Sequence, residues 1–142
     1  TVEFVRTRTR PWVDSNLDRA SDDPYTIQAV GRLNLRLHAA EALQEKAGLA
    51  VDAAVAAPTA ESVAKAQIAV AEAKILSTEI AIEATNTLFE LAGTRSTLAE
   101  NNFDRHWRNA RVHTLHDPVR WKYAIVGNYA LNGVNPPLHA WS

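Results

Sequence analysis

An all-α fold is predicted: an antiparallel four-helix bundle with two long and two or three shorter helices behind an irregular N-terminal segment. Three observations carry this expectation. Apolar residues recur at three- and four-residue steps from Val30 to Val51. A second run, 59–91, carries two apolar stripes rather than one. Proline and glycine then punctuate the chain where helices should start and stop, at Pro24, Pro58, Gly93, Pro118 and Gly133.

Residues 1–24 read as a non-helical lead-in, because Val2, Phe4, Thr7 and Thr9 alternate with Arg6, Arg8 and Arg10 before Pro11-Trp12. The loop DSNLDRASDDP follows, rich in turn formers. Arg6, Arg8, Arg10 and Arg19 beside Trp12 suit an anion. Equally, they suit pairing with Asp14, Asp18, Asp22 and Asp23. The remainder, 25–142, is expected to be the bundle.

Asp22 or Asp23 is placed to cap the first long helix and Pro24 to open its first turn. Val30, Leu33, Leu37, Ala40, Leu43, Ala47 and Val51 mark its inner stripe, with His38 on the flank as a surface or packing residue. Pro58-Thr59 ends this helix, and Thr59-Ala60-Glu61-Ser62 restarts the next with a cap and an early acid. One stripe of that second helix includes Ala66, Ala69, Ala73 and Ile80; the other is Ile68, Ile75, Ile82 and Phe89. Both faces should therefore be buried. Its span of roughly 50 Å exceeds the ~37 Å width of a compact domain of this size. A second subunit or further chain is expected to cover the excess. Gly93 is the expected stop. A short helix over 102–115 places Arg105, Arg108 and Arg111 on one side and Phe103, His106, Ala110 and His113 on the other. The last helix runs from about Pro118 to Leu131 on a stripe of Trp121, Ile125 and Tyr129, and VNPPLHAWS is an irregular tail.

The 142 residues amount to one domain, with 46% hydrophobic and 22% charged content, a globular balance. A net charge of -1 offers no general attraction to nucleic acid or an anionic membrane. No apolar run reaches the ~18–20 residues of a membrane span, and no cysteine is present for disulfides or thiolate metal sites. A cytoplasmic location fits. The chain starts at Thr1 and contains no methionine, so the expectation is a piece of a longer protein.

The chemistry-bearing residues concentrate between Leu88 and Pro118. Thr94-Arg95-Ser96-Thr97 at a helix junction offers backbone donors, hydroxyls and a guanidinium fork, which suits a phosphate; ordinary capping by Ser96 or Thr97 explains the hydroxyls as well. His106, His113 and His116 admit three readings. Metal ligation lacks any supporting signature such as HExxH, and no metal is expected. Helix-end histidines can simply bond carbonyls. A pocket histidine would serve acid–base or hydrogen-bonding work near neutral pH.

The pattern GTRST…NNFDRHWRNARVHTLHDPVRWKYAIVGNYALNG resembles the C-terminal helical domain of the acyl-CoA dehydrogenase superfamily. It looks most like the flavin-dependent monooxygenase branch that includes dibenzothiophene monooxygenase. The likeness covers nearly the whole chain and is most specific across Asp104 to Pro118. It implies a four-helix bundle that packs on a β-domain and assembles homotetramers. RTRPW sits where the dehydrogenases' RxQFG-like segment reaches flavin phosphates across a subunit boundary, which nominates Arg8. AGTRS loosely matches the glycine-rich turn that meets the neighbouring flavin, nominating Gly93, Thr94, Arg95 and Ser96. An arginine there suits a terminal phosphate, hence FMN, with FAD as the alternative.

Many dehydrogenases end this region with a tyrosine and a glutamate base before glycine, whereas this chain has His116, Asp117 and Pro118. An aspartate withdraws the carboxylate by about 1.5 Å, enough to spoil proton abstraction. In the monooxygenase branch a histidine here lies beside the flavin and handles its peroxide intermediate, so the resemblance makes His116 the catalytic candidate. The implied activity is oxygenation of a small, sulfur-containing organic substrate. Reduced FMN would come from a separate NAD(P)H-dependent reductase. The rivals are an acyl-CoA dehydrogenase with its base elsewhere, whose C-terminal domain would bind FAD and assemble tetramers, and a non-enzymatic helical assembly.

Overall fold

The structure, a computed structural model, describes residues 1–139; 140–142 of the expected tail lie outside the described residues. The chain is all-α, a helical bundle of five helices among the described residues: α1 (Val2–Arg8), α2 (Pro24–Ala56), α3 (Ala60–Ala92), α4 (Asp104–Leu115) and α5 (Val119–Asn132). Short 3-10 turns lie at Val13–Ser15, Ala20–Asp22 and Thr94–Thr97. The residues cluster into two compact units. One holds Thr1–Arg36 with Ile80–His113; the other holds Leu37–Glu79 with the residues from Thr114 on.

The N-terminal segment corrects the sequence expectation, because residues 2–8 are helical. Phe4 and Val5 are adjacent and both buried, which period-two alternation forbids and a helix allows, since neighbours lie about 100° apart. Glu3 in the first turn and Arg6 and Arg8 in the last complement the helix dipole. The Thr7 hydroxyl donates to Glu3 O at 2.8 Å. In the same unit the Phe4 ring meets Phe103 edge-on, with centroids 5.2 Å apart.

Asp23 begins α2 as foreseen, its Oδ1 accepting from Tyr25 N at 2.8 Å. The inner seam of α2 departs from the expected stripe. Leu33, Arg36, Ala40, Leu43, Ala47, Ala50 and Ala54 turn inward, whereas Leu37 and Val51 are exposed. Steps of three and four alternate strictly along this seam, a heptad that tracks a partner helix at 3.5 residues per turn. Arg36 holds its place on the seam by pairing with Glu83 of α3 at 3.1 Å, where Arg32 also binds at 3.2 Å. Replacing Glu83 by glutamine removes the carboxylate that both guanidiniums share. It should lower stability by about 1 kcal/mol, a value kept small by the exposure of Arg32. A urea midpoint equal to the parent's would refute a structural role for Glu83.

The Thr59 cap is reciprocal: Ser62 N donates to Thr59 Oγ1 at 3.0 Å and Thr59 N donates to Ser62 Oγ at 2.9 Å. Serine thus takes the role usual for glutamate in a capping box. The early acid, Glu61, pairs instead with Lys65, whose hydrogen bond holds the carboxyl below its ordinary pKa. That contribution is present above the unfolded-state pKa and is lost as pH falls through the lowered value.

Helix α3 is buried on two sides, as its two stripes require: Ala69, Ala73 and Ile80 on one, Ile68 and Ile75 on the other. Within the second unit, Ala47 of α2 meets Ala69 and Ala73, with Leu43 and Ala50 packed beside them. Small side chains let the two backbones approach closely. Ala69→Leu would insert three carbons at a site only 3% exposed. We expect a loss of about 2–3 kcal/mol, roughly 5–10 °C in Tm for a chain of this length. An unchanged melting curve would mean the helices part there without cost.

Candidate functional site

Two groups of site residues emerge, one in each compact unit. In the first unit, α3 ends at Ala92 and Gly93 takes φ 70, ψ -171, a conformation open essentially to glycine. Gly93 N still reaches Phe89 O at 3.0 Å, so the glycine closes the helix while redirecting the chain into the turn Thr94–Thr97. Inside that turn Ser96 is 1% exposed and its hydroxyl donates to Gly93 O at 2.6 Å. The Thr97 hydroxyl donates to Thr94 O at 2.7 Å. Both hydroxyl protons therefore serve the turn itself, rather than capping the next helix, which starts only at Asp104.

Arg95 remains outward. Its carbonyl is tied by Asn101 Nδ2 at 2.8 Å, and its Nη1 donates to the carbonyl of Arg8 at 3.4 Å. The fold thus brings Arg8 and Arg95, 87 residues apart, into one place. Among the described residues neither has a carboxylate partner. Arg19, in contrast, is consumed by a two-pronged pair with Asp22, at 2.9 Å for each contact. Both side chains are exposed, and a guanidinium beside the backbone donors of a glycine turn is the chemistry that a phosphate dianion, such as the terminal phosphate of FMN, would require.

In the second unit the corner between α4 and α5 carries His116-Asp117-Pro118. Asp117 adopts φ 59. Left-handed backbone in an aspartate that precedes proline costs about 1–3 kcal/mol unless its surroundings hold it. Lys122 supplies that hold: its Nζ lies 3.1 Å from Asp117 Oδ2, and its side chain is only 16% exposed. No acid occupies the first turn of α5, where a half-buried cation opposes the helix dipole. Asp117, just ahead of that turn, compensates both charges.

His116, Asp117 and Lys122 line one cavity of about 970 Å³ in this unit. Its wall is mostly apolar, with Ala54, Ala66, Val70 and Ile125 among the lining residues. Lys74 and His139 add polar atoms. His116 is itself exposed at the cavity's edge; His106 and His113, exposed on α4, do not line the cavity, and neither does His38, exposed on α2. Among the described residues no group of three or more His, Cys, Asp or Glu could hold a metal ion. Trp121 lies off the expected α5 stripe and is 63% exposed; Lys122 takes the inward place beside Ile125. Sequence reasoning missed Lys122, Lys74 and His139. A signal existed for the first, namely a lysine in a helix's first turn shortly after an aspartate.

The family model described as "Acyl-CoA dehydrogenase, C-terminal domain" matches residues 1–121. A dibenzothiophene monooxygenase of Mycolicibacterium goodii is 40% identical over 133 residues, 92% of this chain and 32% of that protein. The FMN-bound crystal structure of TdsC from Paenibacillus sp. A11-2 superposes with a TM-score of 0.92 at 35% identity, over 99% of this chain and 36% of that one. The methanesulfinate monooxygenase MsuC of Pseudomonas fluorescens gives 0.94 at 34% identity, over 99% and 37%. The chain spans about a third of the length of the curated relatives it matches. A match over most of the sequence, on an all-helical bundle, makes this chain a member of the acyl-CoA dehydrogenase C-terminal domain family.

Proposed function

We propose that this chain forms the C-terminal helical part of a reduced-FMN-dependent monooxygenase that oxygenates a small organic sulfur compound. The observation that carries the reading is His116 lining a largely apolar cavity, next to Asp117, the shorter acid that stands where a dehydrogenase of this family would carry its glutamate base. The relatives named for dibenzothiophene and methanesulfinate oxygenation support it. Asp117 is engaged by Lys122 and is a poor base for proton abstraction.

Reduced FMN, when bound, supplies the electrons that activate dioxygen. Arg8 and Arg95 hold its phosphate, while Gly93, Thr94 and Ser96 shape the turn that presents Arg95. His116 holds a proton at an imidazole nitrogen and donates it, or a hydrogen bond, toward oxygen at the reacting centre. The apolar wall limits water there. The protein works as a cytoplasmic homo-oligomer, with a tetramer the expected assembly, and a separate NAD(P)H-dependent reductase supplies the reduced flavin.

The test uses the natural protein that carries this chain. Incubated with reduced FMN, dioxygen and aromatic or alkyl sulfur compounds, it should form oxygenated product. Anaerobic turnover of an acyl-CoA with an electron acceptor, without oxygenation, would overturn the reading in favour of a dehydrogenase.

A further inference from the structure

We propose that Lys122 is a positioning residue for His116, acting through its ion pair with Asp117. The inference deepens the proposed role of His116 and rests on that reading for its catalytic meaning, though its structural content stands alone. Three observations converge. Asp117, adjacent to His116, sits at φ 59 immediately before Pro118, a backbone state that neither aspartate nor a pre-proline residue prefers. Lys122 reaches back from α5 to Asp117 Oδ2 at 3.1 Å with most of its side chain covered. All three side chains line the same cavity.

The physical logic runs through the corner. Without a countercharge, Lys122 would leave a mostly buried cation at the positive end of α5, and the corner would lose the contact that holds its left-handed residue. Asp117 would relax toward the extended region that proline favours, rotating the peptide that carries His116. The imidazole would then move from its place at the cavity lining. The pair also keeps the carboxylate engaged, so the aspartate beside His116 is tied to a cation rather than left to seek the imidazole.

Crystal structures of the natural protein that carries this chain, as parent, Lys122→Met, Lys122→Arg and Asp117→Asn, test the proposal. Lys122→Arg should keep the corner and the parent His116 rotamer. Lys122→Met and Asp117→Asn should show His116 rotated or without side-chain density, with α2 and α3 unmoved. Asparagine tolerates left-handed backbone as well as aspartate does, so its failure isolates the lost charge. If Lys122→Met does not fold, Asp117→Asn decides. A parent-like His116 in either charge-removing variant overturns the proposal. In turnover, Lys122→Met should reduce kcat at least tenfold with KM for the sulfur substrate changed less than threefold, and Lys122→Arg should restore most of it. If His116→Ala itself leaves product formation unchanged, the catalytic reading fails, while the crystallographic result still judges the positioning claim.

Discussion

Product formation by the natural protein should fall by about 10²- to 10⁴-fold in His116→Ala, the range expected for loss of a positioned proton donor. Reduced FMN should still be consumed, its electrons leaving as hydrogen peroxide instead of entering product. The direction follows from the site. His116 borders a cavity whose wall is mostly aliphatic; Asp117 beside it is held by Lys122, and the other donors on that wall, Lys74 and His139, stand on α3 and in the C-terminal segment rather than in the His116 corner. FMN affinity should be unchanged, because Arg8 and Arg95, to which we assign the phosphate, belong to the other compact unit. Parallel assays of sulfoxidised product and peroxide check this. Undiminished product would remove His116 from the mechanism.

FMN binding should weaken by about 10- to 100-fold in Arg95→Ala, and by a similar factor in Arg8→Ala, since a charge-assisted hydrogen bond is worth about 1.5–3 kcal/mol. The arginines touch each other through a single long contact of 3.4 Å, so helix content and Tm should stay at parent values. Riboflavin, which lacks the phosphate, provides the control: its affinity should barely respond to either substitution. Raising the salt concentration should erode FMN affinity in the parent more than in the variants. Fluorescence titration measures all of these. Equal FMN affinity in parent and Arg95→Ala would rule out the phosphate role.

The limits of the long helices were legible in advance because their signals are local. Asp23 accepts from the backbone two residues on, Thr59 and Ser62 cap each other three residues apart, and Gly133 ends α5 in the left-handed region at φ 67. Residues 2–8 misled because seven residues with threonines between arginines mimic alternation. Only burial of the adjacent Phe4 and Val5 reveals the helix. On α2 the sequence offered two apolar neighbours at each ambiguous turn, and packing on α3 chose Arg36 over Leu37 and Ala50 over Val51. In the candidate site, His116, Arg8 and Gly93–Ser96 were nominated by residue pattern and resemblance. The buried, self-bonded state of Ser96 and the part of Lys122 were not.

By itself, then, the sequence determined the helical class, the starts and stops of its long segments, and the residues able to do chemistry. Caps, prolines and glycines act over a few residues, and so does helical periodicity. Tertiary structure alone decided that Arg95 lies against Arg8, that Glu83 collects two arginines, and that Lys122 clamps Asp117 beside His116. Each of these depends on where a folded backbone carries a charge, and many pairings of fifteen cations with sixteen acids are compatible with the linear order. Helix packing selects among them.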